Sequence, residues 1–260
     1  MLAPKPESWL RVLPEGLYCE PGGFFIDPVR HVDRAVVTHG HADHARPNNR
    51  HVLATRETLA IMRARYGEAA GGNLQPLSYG EPMTLGEVSL RLVPAGHVLG
   101  SAQAVMEYRG CRVVVSGDYK RGVDPTCAAF EVVPCDLFVT EATFGLPVFR
   151  HPDAREEIGR LLHSIEVFPE RAHVIGAYAL GKCQRLIALL RQAGWDRPIY
   201  LHGALADRWA RRLPDPVNAL ASGWMRVRQR ARQRGVELPL VISDHADWDE
   251  LLQTLDDVGA

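Results

Sequence analysis

Residues 39 to 44 read His39-Gly40-His41-Ala42-Asp43-His44, three histidines and an aspartate in six positions, separated only by Thr38 from the apolar run Arg34-Ala35-Val36-Val37. An apolar run that short reads as a strand, so the histidines fall in the loop at its end, where a rigid scaffold presents reactive groups. His39 and His41 lie two apart, so both imidazoles can lean toward one cation. Asp43 and His44 are adjacent and can serve a second cation only if the chain turns into a helix there. Imidazole and carboxylate suit Zn²⁺ and its harder neighbours Mn²⁺ and Fe²⁺. The cluster has no thiolate, which points to a catalytic rather than a structural centre. The plainer alternative is a histidine-rich polar turn.

The first half of the chain alternates short β-rich runs with glycine and proline turns. Strands are expected over 23–26, 35–38, 88–93, 103–108, 112–116 and 137–140. A helix is expected over 56–66, where Leu59, Met62 and Arg63 fall at helical spacing. This order suits a layered α/β sandwich. Beyond Gly145 the texture changes to an amphipathic helix over 153–167, a strand over 173–177 and a helix over 182–192. The chain then returns to the first domain over 238–243. The expected organisation is therefore a first domain over 1–147, an insert over 148–236 and a return over 237–260.

Composition narrows the classes. No stretch approaches the ~20 consecutive apolar residues of a membrane span. Met1-Leu2-Ala3-Pro4-Lys5-Pro6 lacks a basic start followed by an apolar run, so no secretory signal is expected. The cysteines, Cys19, Cys111, Cys127, Cys135 and Cys183, are odd in number and form no Cys-x-x-Cys pair. They read as reduced thiols of a cytoplasmic protein. A net charge of −1 predicts no nucleic-acid binding by itself. The distribution differs: Arg226, Arg228, Arg230, Arg232 and Arg234 occupy every second position with no acid between them. On a helix, Arg226, Arg230 and Arg234 would form one stripe, either tracking a phosphate backbone or lying as a solvated face.

His-x-His-x-Asp-His after a strand resembles the signature of the metallo-β-lactamase superfamily, and further motifs follow in order. Asp27 in Phe24-Phe25-Ile26-Asp27 matches its early aspartate, His97 in Pro94-Ala95-Gly96-His97 its third histidine, and Asp118 in Ser116-Gly117-Asp118-Tyr119 its bridging carboxylate. Glu141 in Thr140-Glu141-Ala142-Thr143-Phe144-Gly145 resembles the acidic motif of the β-CASP nucleases. Gly181-Lys182 resembles a glycine turn opening a helix of their cap, and His245 in Ser243-Asp244-His245-Ala246-Asp247 their late histidine. With Tyr18-Cys19-Glu20-Pro21-Gly22-Gly23, the chain most resembles the bacterial ligase-associated DNA exonucleases, relatives of Artemis.

The resemblance implies a metallo-β-lactamase αββα sandwich with an inserted β-CASP cap. It also implies a seventh ligand histidine beyond Ala260 and a cap longer than the one seen between Leu201 and Arg208. His39, His41 and His97 would hold one divalent ion, Asp43 and His44 a second, with Asp118 bridging; Zn is expected, with Mn or Fe as alternatives. The implied activity is metal-dependent hydrolysis of DNA ends in repair, beside an ATP-dependent DNA ligase and a helicase.

Taken singly, several residues keep two readings. His97 can be a packed histidine and Asp118 a turn residue. Asp27 can orient a histidine or its loop, or serve a turn before Pro28. Glu141 and His245 can pair, with His245 protonating the leaving oxygen or touching the scissile phosphate, or His245 can be a polar group at a helix start. Gly181 and Lys182 can form a phosphate site or a plain turn. The rival functions are an RNA-processing β-CASP nuclease, a small-substrate hydrolase and a non-catalytic DNA-end-binding module.

Overall fold

The computed structural model describes residues 3–170, 173, 175–201, 238 and 240–260. The chain divides into two compact units, Met1–Arg150 with His245–Ala260, and His151–Asp244.

The first unit is built on two sheets. One has the order β1 (Leu10–Leu13), β2 (Gly16–Cys19), β3 (Phe24–Ile26), β4 (Arg34–Val36), β5 (His51–Ala54) and β6 (Asn73–Pro76). It is antiparallel from β1 to β3 and parallel from β3 to β6. The other runs β11 (Leu137–Val139), β10 (Cys111–Val115), β9 (Ala102–Tyr108), β8 (Val88–Pro94) and β7 (Met83–Leu85), antiparallel except where β11 joins β10.

Two-residue periodicity explains how the sheets stack. Val88, Leu90, Leu92, Ala104, Met106 and Val113 join Phe24, Ile26, Val36 and Leu53 in one buried cluster drawn from both sheets. The alternate side chains Val93, Val105 and Val114 face the other way and pack with Leu251 and Val258. Those two belong to the carboxy-terminal helix, Trp248–Val258, designated α4 below. On the far face of the first sheet, Ala35, Val37, Val52 and Ala54 pack with Leu59 and Met62 of α1 (Arg56–Tyr66). The layer order is helix, sheet, sheet, helix, as in the metallo-β-lactamase sandwich. Met106 is fully buried between the sheets, so its truncation to Ala is expected to cost about 2–5 kcal/mol.

The second unit contains α2 (Ala154–Val167) and α3 (Lys182–Gln192). Asp153 caps α2 by accepting from the Arg155 N–H at 2.7 Å. Ile158 and Leu161 pack with Leu186, Ile187, Leu190 and Ile242. The strand expected over 173–177 does not form among the described residues. In α1 the buried residues are Thr58, Leu59, Ile61 and Met62, while Arg63 is exposed, contrary to the spacing argument that placed it with Leu59 and Met62. No helix among the described residues is long and apolar enough to cross a membrane.

Candidate metal centre

The histidine segment leaves the first sheet just after β4, and the residues around it come from the ends of other strands. Asp27 follows β3, His97 follows β8 and Asp118 follows β10. Both sheets therefore deliver their loops to one end of the sandwich. His39 Nε2 lies 3.1 Å from His41 Nδ1, and His97 Nε2 lies 3.0 Å from the same Nδ1. Asp118 Oδ2 stands 3.6 Å from His39 Nε2 and 3.8 Å from His97 Nε2. Four ligand atoms converge, all within 4.8 Å of one another. A tetrahedral Zn²⁺ with Zn–N bonds of about 2.0–2.1 Å requires its nitrogens about 3.3–3.4 Å apart, so this donor set fits a metal ion with little rearrangement.

Electrostatics favour the ligand form. His39 and His97 are fully buried. Burial, reinforced by the neighbouring histidines, holds the His39 imidazole well below its ordinary pKa, which keeps it neutral as coordination demands. Asp118 is pushed up to about 6, chiefly by burial and further by Glu141 and Asp43, against the opposing pull of His44 and His245. A cation beside it would reverse that shift.

His44 sits on the other side of Asp118. Its Nε2 lies 3.5 Å from Asp118 Oδ1 and 3.9 Å from Asp43 Oδ2, and its Nδ1 is bonded to Asp27 Oδ2 at 2.8 Å. Burial opposes its charge, but the Asp27 hydrogen bond and the carboxylates of Asp27, Asp118 and Asp43 prevail, raising its pKa to about 9. A neutral His44 that keeps its Nδ1 proton on Asp27 presents Nε2 as a lone pair toward Asp118 and Asp43. The Asp43 side chain is 73% exposed.

Asp27 accepts from the Thr38 N–H at 2.8 Å and from the Thr38 hydroxyl at 2.5 Å while holding His44. Its backbone lies in the left-handed region, at φ 43, which Asp tolerates better than most residues. Thr38 Oγ1 is also 3.1 Å from His39 Nδ1. A single carboxylate and a single hydroxyl thus tie both halves of the motif together. Gly117 must be glycine: it has φ 56, and a Cβ there would stand 2.6 Å from Thr38 Oγ1.

Glu141 and His245 meet beside the cluster. His245 Nδ1 is 2.9 Å from Glu141 Oε2, and Glu141 Oε1 accepts from the Tyr119 N–H at 2.6 Å. His245 Nδ1 also lies 3.9 Å from Asp118 Oδ2, and its ring centroid is 4.6 Å from that of His97.

Lys182, by contrast, is engaged within its own unit: Nζ pairs with Asp244 Oδ1 at 3.2 Å and lies 5.3 Å from the centre of the Tyr178 ring. Gly181 opens α3 at φ 86, its N–H donating to Gln184 Oε1 at 2.8 Å. Lys120, in the loop after β10, is buried and paired with Glu250. Arg226, Arg228, Arg230 and Arg234 lie outside the described residues.

Sequence reasoning passed over Thr38 and Ser101. The Ser101 hydroxyl accepts from the N–H groups of His97 and Val98 at 3.1 and 3.2 Å. A hydroxyl residue immediately before the histidine segment, and another four residues after His97, were the available signals.

No family model matches the chain. It is 25% identical, over an alignment of 289 residues, to the "Probable DNA ligase" of Opitutus terrae, covering 94% of this chain and 28% of that protein. It is 31% identical over 218 residues to the "Ribonuclease TTHA0252" of Thermus thermophilus, covering 72% of this chain and 49% of that one. The chain thus spans less than half of either relative. Among solved structures it resembles a protein of unknown function from Enterococcus faecalis V583, with a TM-score of 0.61 at 12% identity over 86% of this chain and 72% of that one; this likeness concerns the fold alone. Together with the layered sandwich, these matches relate the chain at modest identity to the metallo-β-lactamase and β-CASP nucleases, whose fold it has.

Proposed function

We propose that this chain carries the hydrolytic centre of a metal-dependent DNA exonuclease that processes DNA ends in repair. The observation that carries the reading is the convergence of His39, His41, His97 and Asp118, with the Glu141–His245 pair beside them. In this reading His39, His41 and His97 hold one divalent ion, Asp43 and His44 hold a second, and Asp118 serves both. Two such ions would neutralise a phosphodiester and lower the pKa of the attacking water. Zn is the expected metal, with Mn or Fe as alternatives, since imidazole and carboxylate suit all of them.

The protein's own part is orientation and proton transfer. Asp27 fixes His44, Thr38 fixes Asp27, and Ser101 fixes the main chain at His97. Glu141 holds Nδ1 of His245, so the imidazole acts through Nε2, donating a proton to the departing oxygen or contacting the phosphate. The second unit, His151–Asp244, is proposed to be the cap, which the sequence places at about residues 148–236. Its Lys182 and the arginines Arg226, Arg228, Arg230 and Arg234 are proposed to follow the nucleic-acid backbone.

DNA is favoured over RNA because the match to the ligase-named relative takes in almost the whole chain. The name of that relative also favours a DNA ligase as a working partner; that the ligase is ATP-dependent, that a helicase joins it and that the setting is the cytoplasm are proposed from the family resemblance. A second reading, hydrolysis of RNA, is favoured by the higher identity to the Thermus ribonuclease. The deciding experiment is a degradation time course on end-labelled single- and double-stranded DNA and RNA, with Zn²⁺ and Mn²⁺ compared. Progressive shortening of DNA from an end is expected. Cleavage confined to RNA would transfer the assignment to the second reading, and no cleavage of either would end both.

A further inference from the structure

Lys120 is a buried lysine in the loop after β10, 8% exposed. Its ammonium lies 3.0 Å from Glu250 Oε2 and donates to the main-chain carbonyl of His245 at 3.5 Å. Glu250 is itself fixed from two sides. Its Oε1 accepts from the Gly122 N–H at 2.6 Å, and it closes the capping box of α4 with Asp247. Between these contacts the Ala246 N–H donates to the Tyr119 carbonyl at 2.6 Å, and the Tyr119 N–H donates to Glu141.

The loop from Asp118 to Gly122 therefore grips the His245 segment twice, at its imidazole through Glu141 and at its main chain through Lys120 and Tyr119. A charged group withdrawn from water is expensive to hold unless its geometry is used. Here the ammonium is compensated by Glu250 at 3.0 Å, and its second, longer contact at 3.5 Å falls on the carbonyl of His245.

We propose that Lys120, held by Glu250, is a positioning residue that sets the His245 main chain so that its imidazole meets the leaving oxygen of the substrate. The inference rests on the hydrolytic reading given above. Lys120 touches no reacting atom and acts only through His245.

The test compares a DNA substrate, whose leaving alkoxide needs a proton, with bis(p-nitrophenyl) phosphate, whose leaving phenolate needs none. Lys120→Met is expected to lower kcat on DNA by about 10- to 100-fold, the loss expected when a general acid is misplaced, with KM and metal content little changed. The loss on the activated diester is expected to be much smaller. Lys120→Met combined with His245→Ala should be no slower than His245→Ala alone, because both act on one step. Lys120→Arg should restore part of the rate.

If Lys120→Met does not fold, Lys120→Met with Glu250→Gln carries the same comparison, since it leaves no unpaired buried charge and its amide oxygen still accepts from the Asp247 N–H, at the loss of the Gly122 N–H bond. Equal losses on both substrates, or losses that multiply with those of His245→Ala, would overturn the inference and assign Lys120 to stability alone. An unchanged rate on DNA would do the same. A wild-type protein inert on both substrates would instead remove the hydrolytic reading, and the inference with it.

Discussion

The two sides of Asp118 are built differently. On one, His39 and His97 are fully buried, and their ligand atoms already stand at near-coordination spacing with His41. Burial keeps His39 neutral, so this side is prepared for a cation before any arrives. On the other, His44 is partly exposed, charged up to about pH 9, and accompanied by a largely solvated Asp43. That side relies on Asp27 for its geometry and must shed a proton to bind. The difference teaches that preorganisation here comes from burial on one side and from a hydrogen-bonded carboxylate on the other. The two should fail in different ways.

Removing what the sides share should do most. Asp118→Ala is expected to lower hydrolysis by about 1,000-fold or more, because several kcal/mol of transition-state charge stabilisation are lost. Metal per chain, measured by elemental analysis, should fall from close to two ions. Retention of both ions and of turnover would mean that the two sides do not meet at this carboxylate.

Next come the sides taken separately. Asp43→Ala should lower hydrolysis severely, though less than Asp118→Ala, while leaving DNA binding largely intact and the ion of the buried side in place. His97→Ala should empty the buried side instead. If both variants lose the same ion in competition with a chelator, the division is wrong.

Asp27→Asn probes the hydrogen-bonded side alone and should weaken its metal affinity by about 10- to 100-fold. It also carries a pH signature in chelator-stripped protein. The folded pKa of His44, about 9, lies above its ordinary value of 6.5, so its pairing stabilises the fold fully below the ordinary pKa and is lost as pH rises through the folded one. Thermal unfolding from pH 6 to 9.5 should show that loss in the wild type and a flatter profile in Asp27→Asn. Parallel profiles would exclude the pairing as its source.

Thr38→Val is the mildest change. It removes one hydroxyl bond to a charged group, worth about 1.5–3 kcal/mol, and should be visible as a lower Tm with the metal count preserved.

Much of this arrangement was legible before folding. Strands β8, β9 and β10 alternate apolar side chains over five to seven residues and were placed within a residue or so of their observed limits. Helix α3 was placed at its observed limits, 182–192. The strands that escaped notice, β1, β2, β5, β6 and β7, are short, and β1 and β6 are mostly exposed edges whose sequences carry no alternation. Asp27, His97 and Asp118 could be recognised through the resemblance of their motifs to the metallo-β-lactamase signature, since each taken singly also reads as a turn or packed residue. What could not be read are bonds formed by tertiary packing. Nothing local in Thr38 announces Asp27, eleven residues away, and nothing in Lys120 announces Glu250, 130 residues away. The burial of Lys120 depends on a helix at the other end of the chain.

Thr55 caps α1 by accepting from the Thr58 N–H at 3.2 Å, and its hydroxyl also donates to the Gly100 carbonyl at 2.7 Å, joined there by the Thr58 hydroxyl at 3.0 Å. The carbonyl they share lies three residues beyond His97, so the start of a helix on the outside of the sandwich is fastened to the loop of the third histidine. Loosening this fastening is therefore expected to disturb the loop that carries His97, and a weaker metal affinity of Thr55→Val, measured by competition with a chelator, would report it.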